Sequence, residues 1–143
     1  MKELSKILVP VDGSAGADKA LELAVQLAEA TGASLDILHV AYFASETDSC
    51  EISWLPDNVA GSVKAEAEFA LTRAKDYLAA RVKANYYQRS GIPATEIVSF
   101  ADENQDGLIV VGGRGLGAVE GFLLGSVSQE VIERSLVPTL VAK

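Results

Sequence analysis

Cysteine, histidine, methionine and tryptophan each occur once in 143 residues, and aromatic side chains make up only 6% of the chain. With Cys50 alone, neither an internal disulfide nor a cysteine metal cluster can form. Cys50 also sits in SETDSCEIS, among acidic neighbours that disfavour a reactive thiolate. His39 has no second histidine to share a metal, and at the end of the apolar run LDILHV it reads as structural rather than as a base. Positive charge is scarce: 12 Lys and Arg stand against 20 Asp and Glu, for a net charge of −8. Nucleic acid and anionic membrane surfaces select basic faces, so neither is expected as a partner. No apolar run approaches the ~20 residues needed to cross a bilayer. The start, MKELSKILVPVDGS, lacks the longer apolar core of a signal peptide, and a cytoplasmic location is expected.

What is present is a regular alternation of short apolar runs and amphipathic segments. Ser5–Val11 reads as a strand that ends in the turn cluster Pro10-Val11-Asp12-Gly13. Ser14 is placed to N-cap the next helix, Asp18 suits its first turn, and Gly32 stops it. Ala17, Ala20, Ala24, Leu27 and Ala28 recur at helical spacing, and small side chains let a helix lie close on a sheet. Ser34–Val40 is a second strand, with a nearly continuous apolar core. Tyr42–Gly61, with Trp54 and Pro56, lacks periodicity and reads as a long loop. From Ser62 to about Val82 an amphipathic helix carries Ala67, Ala70, Leu71, Ala74 and Leu78 on one stripe. Asn85–Gln88 reads as a weak third strand, and Pro93 opens a helix to about Asn104 with Ile97 and Ala101 inward. The strand Leu108–Val111, a glycine loop, a helix from Ser126 to about Ser135 and a last strand Pro138–Ala142 complete the order.

Strands and helices thus alternate along residues 1–143, read as one α/β domain. A doubly wound, five-stranded parallel sheet covered by helices on both faces is the expected architecture. Ligands of such sheets bind beyond the carboxyl ends of the strands, at the point where strand order reverses. Pro10–Gly13, Val40 and Gly112–Gly115 all fall at such ends.

The stretch Gly112–Ser128, GGRGLGAVEGFLLGSVS, follows the buried-strand pattern Leu108–Val111. Glycines at 112, 115 and 125 permit close approach of a ligand or positive φ. Ser126 stands where a helix exposes unpaired N–H groups, a ready phosphate site, and also reads as the N-cap. A P-loop is excluded, because it needs a lysine before its Ser/Thr and none lies between Lys83 and Lys143. Gly113, Gly115 and Ala118, with Glu133 beyond, match a loose dinucleotide fingerprint. That reading would set Gly117 and Gly121 in the first turns of its helix and leave only one helix and one strand after it.

The spacing Gly-x2-Gly-x9-Gly-Ser resembles the ATP-binding signature of the universal stress protein family. ILVPVDGS, the strand end LHV, GIPATEI, LIVVGGRGLG, LLGSVS and the ending VPTLVAK look like further landmarks of that family, in its order, over nearly the full chain. Gly107 stands where the family often has Asp. The resemblance implies that Pro10, Val11, Asp12 and Val40 border an adenosine. Gly112, Arg114 and Gly115 would line ribose and phosphates, with Val111 among the nucleotide-binding positions. Gly125, Ser126 and Val127 would hold the outer phosphates. ATP is the implied cofactor, with Mg2+ held through the phosphates; no catalytic residue and no protein metal site are expected. The same resemblance implies a homodimer through the C-terminal strand, which as a short apolar strand is also expected at a sheet edge. Each position has a plainer role as well: the glycines as a tight connection, Arg114 as a solvated charge, Asp12 as a cap of the first helix. A nucleotide-responsive regulatory module is the expected function. A slow ATPase, a protein-interaction module without nucleotide and, more remotely, a flavin carrier are the alternatives. An unidentified protein partner is compatible with all of them.

Overall fold

The computed structural model describes residues 4–42, 57–113 and 124–143. Five strands and four helices alternate: β1 Lys6–Pro10, α1 Ala15–Thr31, β2 Ser34–Tyr42, α2 Asp57–Leu78, β3 Ala84–Gly91, α3 Pro93–Asn104, β4 Leu108–Gly112, α4 Ser126–Arg134 and β5 Thr139–Ala142. The strands form one parallel sheet in the order β3-β2-β1-β4-β5. The chain therefore winds outward from β1 through β2 to β3, returns to the other side of β1, and continues through β4 to β5.

Local chemistry explains the helix boundaries. The Ser14 hydroxyl accepts the Ala17 N–H at 3.2 Å, and Gly32 ends α1 in the left-handed region (φ 78°), its N–H returning to the Ala28 carbonyl. Pro93 opens α3, where its fixed φ is helical and its missing N–H costs nothing. Alternation along the strands then divides the core. Ile7, Val9, Leu35, Ile37 and Val110 pack with the alanine stripe of α1 and with Ala70, Ala74 and Leu78 of α2. Leu8, Leu38, Ile109 and Val111 point to the other face, against Ala94, Ile97, Phe100 and Ala101 of α3 and Val131 of α4.

Two expectations are corrected. Residues 57–61 belong to α2 and Tyr42 to β2, so the expected Tyr42–Gly61 loop is shorter at both ends; 43–56, with Cys50 and Trp54, lie outside the described residues. The helix takes in Gly61, since helix interiors accept glycine at about 1 kcal/mol relative to alanine. The third strand has eight residues rather than four, because β2 offers pairing partners from Leu35 to Tyr42. Among the described residues, no helix is long and apolar enough to cross a membrane.

Candidate functional site

Strand order reverses between β1 and β4, which are neighbours in the sheet although far apart in sequence. Their carboxyl ends, Pro10 and Gly112, open toward the starts of α1 and α4. Pro10 is the last β1 residue paired with β2, opposite Leu38. Val11 is buried, and its N–H still reaches the Leu38 carbonyl at 2.8 Å. The Val11 carbonyl lies 2.9 Å from Nδ1 of buried His39, which ties the turn from β1 to α1 onto β2, while Nε2 has no partner among the described residues. Gly13 takes φ 83°, a conformation that favours glycine, with the Phe69 ring of α2 against it. Asp12 Oδ1 accepts the Ser14 N–H at 2.9 Å, so Asp12 does help to shape the start of α1.

Val40 lies two residues beyond the last β1–β2 pair. Because the Leu38 carbonyl faces β1, backbone alternation turns the N–H and C=O of Val40 to that same side, where the ladder has ended. On its other side β2 continues to pair with β3 as far as Tyr42–Gly91.

Gly112 is a close-approach position of a kind that sequence alone does not show. A Cβ there would stand 2.4 Å from the Gly16 carbonyl oxygen, in the first turn of α1. The absent side chain therefore lets a helix sit on the end of β4. From the other face, Ser128 Oγ donates to the Gly112 carbonyl at 2.5 Å. Gly125 N–H donates to the Gly113 carbonyl at 2.6 Å, bringing the start of α4 back to the end of β4. Gly16 and Ser128 were not singled out from sequence. The second serine of Gly-Ser-Val-Ser, one turn into a helix, was the available signal.

The first turn of α4 corrects one further expectation. Gly125, not Ser126, is the N-cap, and no side chain among the described residues caps this end. The first helical bond runs from Gln129 N–H to the Gly125 carbonyl, so the N–H groups of Ser126, Val127 and Ser128 precede the ladder. Ser126 is exposed and Val127 37% exposed. Gly125 has φ −69°, so the backbone there does not require glycine for a left-handed turn. Val111 is buried on the α3–α4 face of β4. Pro10, Val11, Asp12, Val40, Val111, Gly112, Gly125, Ser126 and Val127 thus gather around the ends of β1, β2 and β4. Arg114 and Gly115 lie outside the described residues.

Known proteins share this fold. A sequence model of the universal stress protein family matches residues 3–143. Universal stress protein YxiE of Bacillus subtilis is 39% identical, over 97% of this chain and 99% of its own. The solved structure of UspA from Lactobacillus plantarum superposes with a TM-score of 0.82 at 25% identity, covering 100% of both chains. A universal stress protein crystallised in complex with cAMP superposes with a TM-score of 0.71 at 27% identity, over 98% of this chain and 97% of that one.

Proposed function

The chain belongs to the universal stress protein family, and on that premise we propose that it is an ATP-binding regulatory module whose nucleotide lies across the ends of β1 and β4. The observation that carries this reading is the uncapped start of α4, folded back onto the end of β4 beside the β1–α1 turn. Three free N–H groups and about half a positive charge from the helix dipole suit the outer phosphates. Ser126 adds an exposed hydroxyl, and Arg114 a guanidinium able to bond phosphate with two donors. Gly112, whose Cβ space is taken by Gly16 of α1, would meet ribose and phosphate through its backbone, and Mg2+ would be held through the phosphates. The cAMP complex of a relative supports an adenine nucleotide.

Adenine selectivity follows from Val40. Adenine presents an acceptor at N1 beside a donor at N6, which suits one backbone N–H and one C=O. Guanine reverses both, and each unmade buried hydrogen bond costs about 1–3 kcal/mol, so ATP should exceed GTP by tenfold or more. Hydrolysis is expected to be very slow, since no general base accompanies the phosphate positions among the described residues and no lysine lies between Lys83 and Lys143. A homodimer through β5 completes the proposal. This strand lies at the sheet edge, with Leu140 37% and Leu136 98% exposed, and a second copy would cover both edge and apolar side chains.

Calorimetry with Mg-ATP and Mg-GTP, after nucleotide content has been measured on gently isolated protein, tests the site. No saturable ATP binding would leave a protein-interaction module in its place. Turnover abolished by Ser126→Ala would make it an enzyme, and a monomeric mass at micromolar concentration would remove the dimer.

A further inference from the structure

At the opposite end of the sheet, below the first residues of the strands, two acids are buried together. Asp36 of β2 is 1% exposed and Asp106, in the turn from α3 to β4, 4%. Asp36 shares the α3 face with Leu38, two residues on. The turn carries Asp106 inward: Gln105 closes α3 with φ 56°, Asp106 N–H returns to the Ala101 carbonyl, and Gly107 N–H reaches the Lys6 carbonyl. Among the described residues, neither carboxylate oxygen of Asp106 receives a donor. Asp36 Oδ1 takes one long bond, 3.4 Å, from Asn85 Nδ2 of β3. Lys6 of β1, the neighbouring cation, directs its ammonium at the Asn104 carbonyl. What lies within hydrogen-bonding reach of the Asp106 carboxyl is the carboxyl of Asp36.

Two ionised carboxylates there would repel one another without water to screen them, whereas one proton turns the repulsion into an O–H···O bond. We propose that Asp36 and Asp106 hold a single proton between them, forming an alkaline-sensitive latch between β2 and the α3–β4 turn. Burial, the hydrogen bond to Asp36 and the charge of Asp36 push Asp106 up from 3.8 to about 8, and Lys6 opposes the shift. Tyr87 of β3 faces both acids; burial first, then their charges, raise its phenol. The titratable groups around the latch are therefore Lys6 and Tyr87, and Asn85 and Asn104 are its neutral neighbours. No group of three or more acidic, histidine or cysteine side chains stands ready for a metal among the described residues, which favours a proton over a cation.

The sign of the pH effect follows. In the unfolded chain Asp106 ionises near its ordinary value, while in the fold it keeps its proton to about pH 8. Between those limits the folded state binds the additional proton, so the contribution to stability is full at low pH, declines as pH rises and is lost above about 8. The test is urea unfolding of wild type and Asp106→Asn, whose amide donates to Asp36 with no proton to lose. Near pH 5 the two midpoints should lie close. By about pH 8.5 the unfolding constant of wild type should have risen roughly tenfold or more relative to the variant. Infrared spectra of nucleotide-free wild type should show a protonated-carboxyl band near pH 6 that vanishes above pH 9 and is missing in Asp106→Asn. A stability difference that does not change with pH, or no such band in wild type, would overturn the latch. So would abolition of the pH dependence by millimolar Mg2+ or Ca2+, which would mark a cation site. The infrared measurement on wild type decides the matter even if the variant fails to fold.

Discussion

Helices α1 and α4 begin at the same end of the sheet, on opposite faces, and their first turns are finished in different ways. At α1 the chain supplies its own acceptors: Ser14 Oγ takes the Ala17 N–H, and Asp12 Oδ1 takes that of Ser14. Asp18, in the same turn, is held by Arg73 of α2 at 3.1 and 2.5 Å, which raises the Arg73 pKa through that hydrogen bond first and the carboxylate charge second. At α4 glycine is the cap, no side chain among the described residues closes the end, and no acid lies in the first turn. A helix start closed by its own chain serves the fold, while an open one beside it is available to an anion. Gly112 lies between the two. Its missing side chain accommodates α1 and its carbonyl anchors α4 through Ser128.

That contrast can be broken in order of severity. Gly112→Ala should do the most damage to the fold. Its Cβ would meet backbone of α1 at 2.4 Å, and backbone yields little. A cost of about 2–3 kcal/mol is expected in urea unfolding. An unmoved midpoint would mean that α1 does not rest on β4 as described. Gly125→Val should spare most of the fold, because φ −69° and ψ 159° are open to any residue, yet it crowds the mouth of α4. ATP affinity should fall about 100-fold, roughly 2.7 kcal/mol. Unchanged affinity by calorimetry would remove the phosphates from this helix.

The smallest effects make the sharpest comparison. Ser126→Ala should weaken ATP by about 1–2 kcal/mol and leave the unfolding midpoint in place, because this hydroxyl caps nothing. Ser14→Ala should cost about 1 kcal/mol of stability while ATP binding changes little. Measured side by side on the same preparations, the reverse pattern would exchange the roles assigned to the two helix ends.

How much of this was legible beforehand depended on the range of the physics involved. Ser14, Gly32 and Pro93 act within a turn of themselves, and each boundary they announced is found. The glycine–serine stretch was recognisable as a strand followed by a helix start. Its cap was misread by one residue, because Gly125 and Ser126 are both acceptable at an N-cap and only geometry separates them. The third strand was underestimated because its own residues are mixed in character. Half-buried at the sheet edge, it takes its length from β2. Asp36 stood in plain view inside an apolar strand, and a polar residue there was the available signal of a buried partner.

Periodicity, capping and turn chemistry are properties of neighbours in the chain, so the order of elements and the parallel, two-faced sheet followed from the amino acids alone. The same chemistry marked the end of the sheet at which a ligand would gather. Strand order is a property of the assembled sheet. It decides that β1 lies beside β4, that Gly112 meets Gly16, and that the start of α4 stays open while that of α1 closes. It also brings Asp106 to Asp36, where lost solvent and the neighbouring carboxyl push the Asp106 pKa up to about 8. Contacts of that kind depend on distance through space and on the exclusion of water, and neither is fixed until the sheet is built.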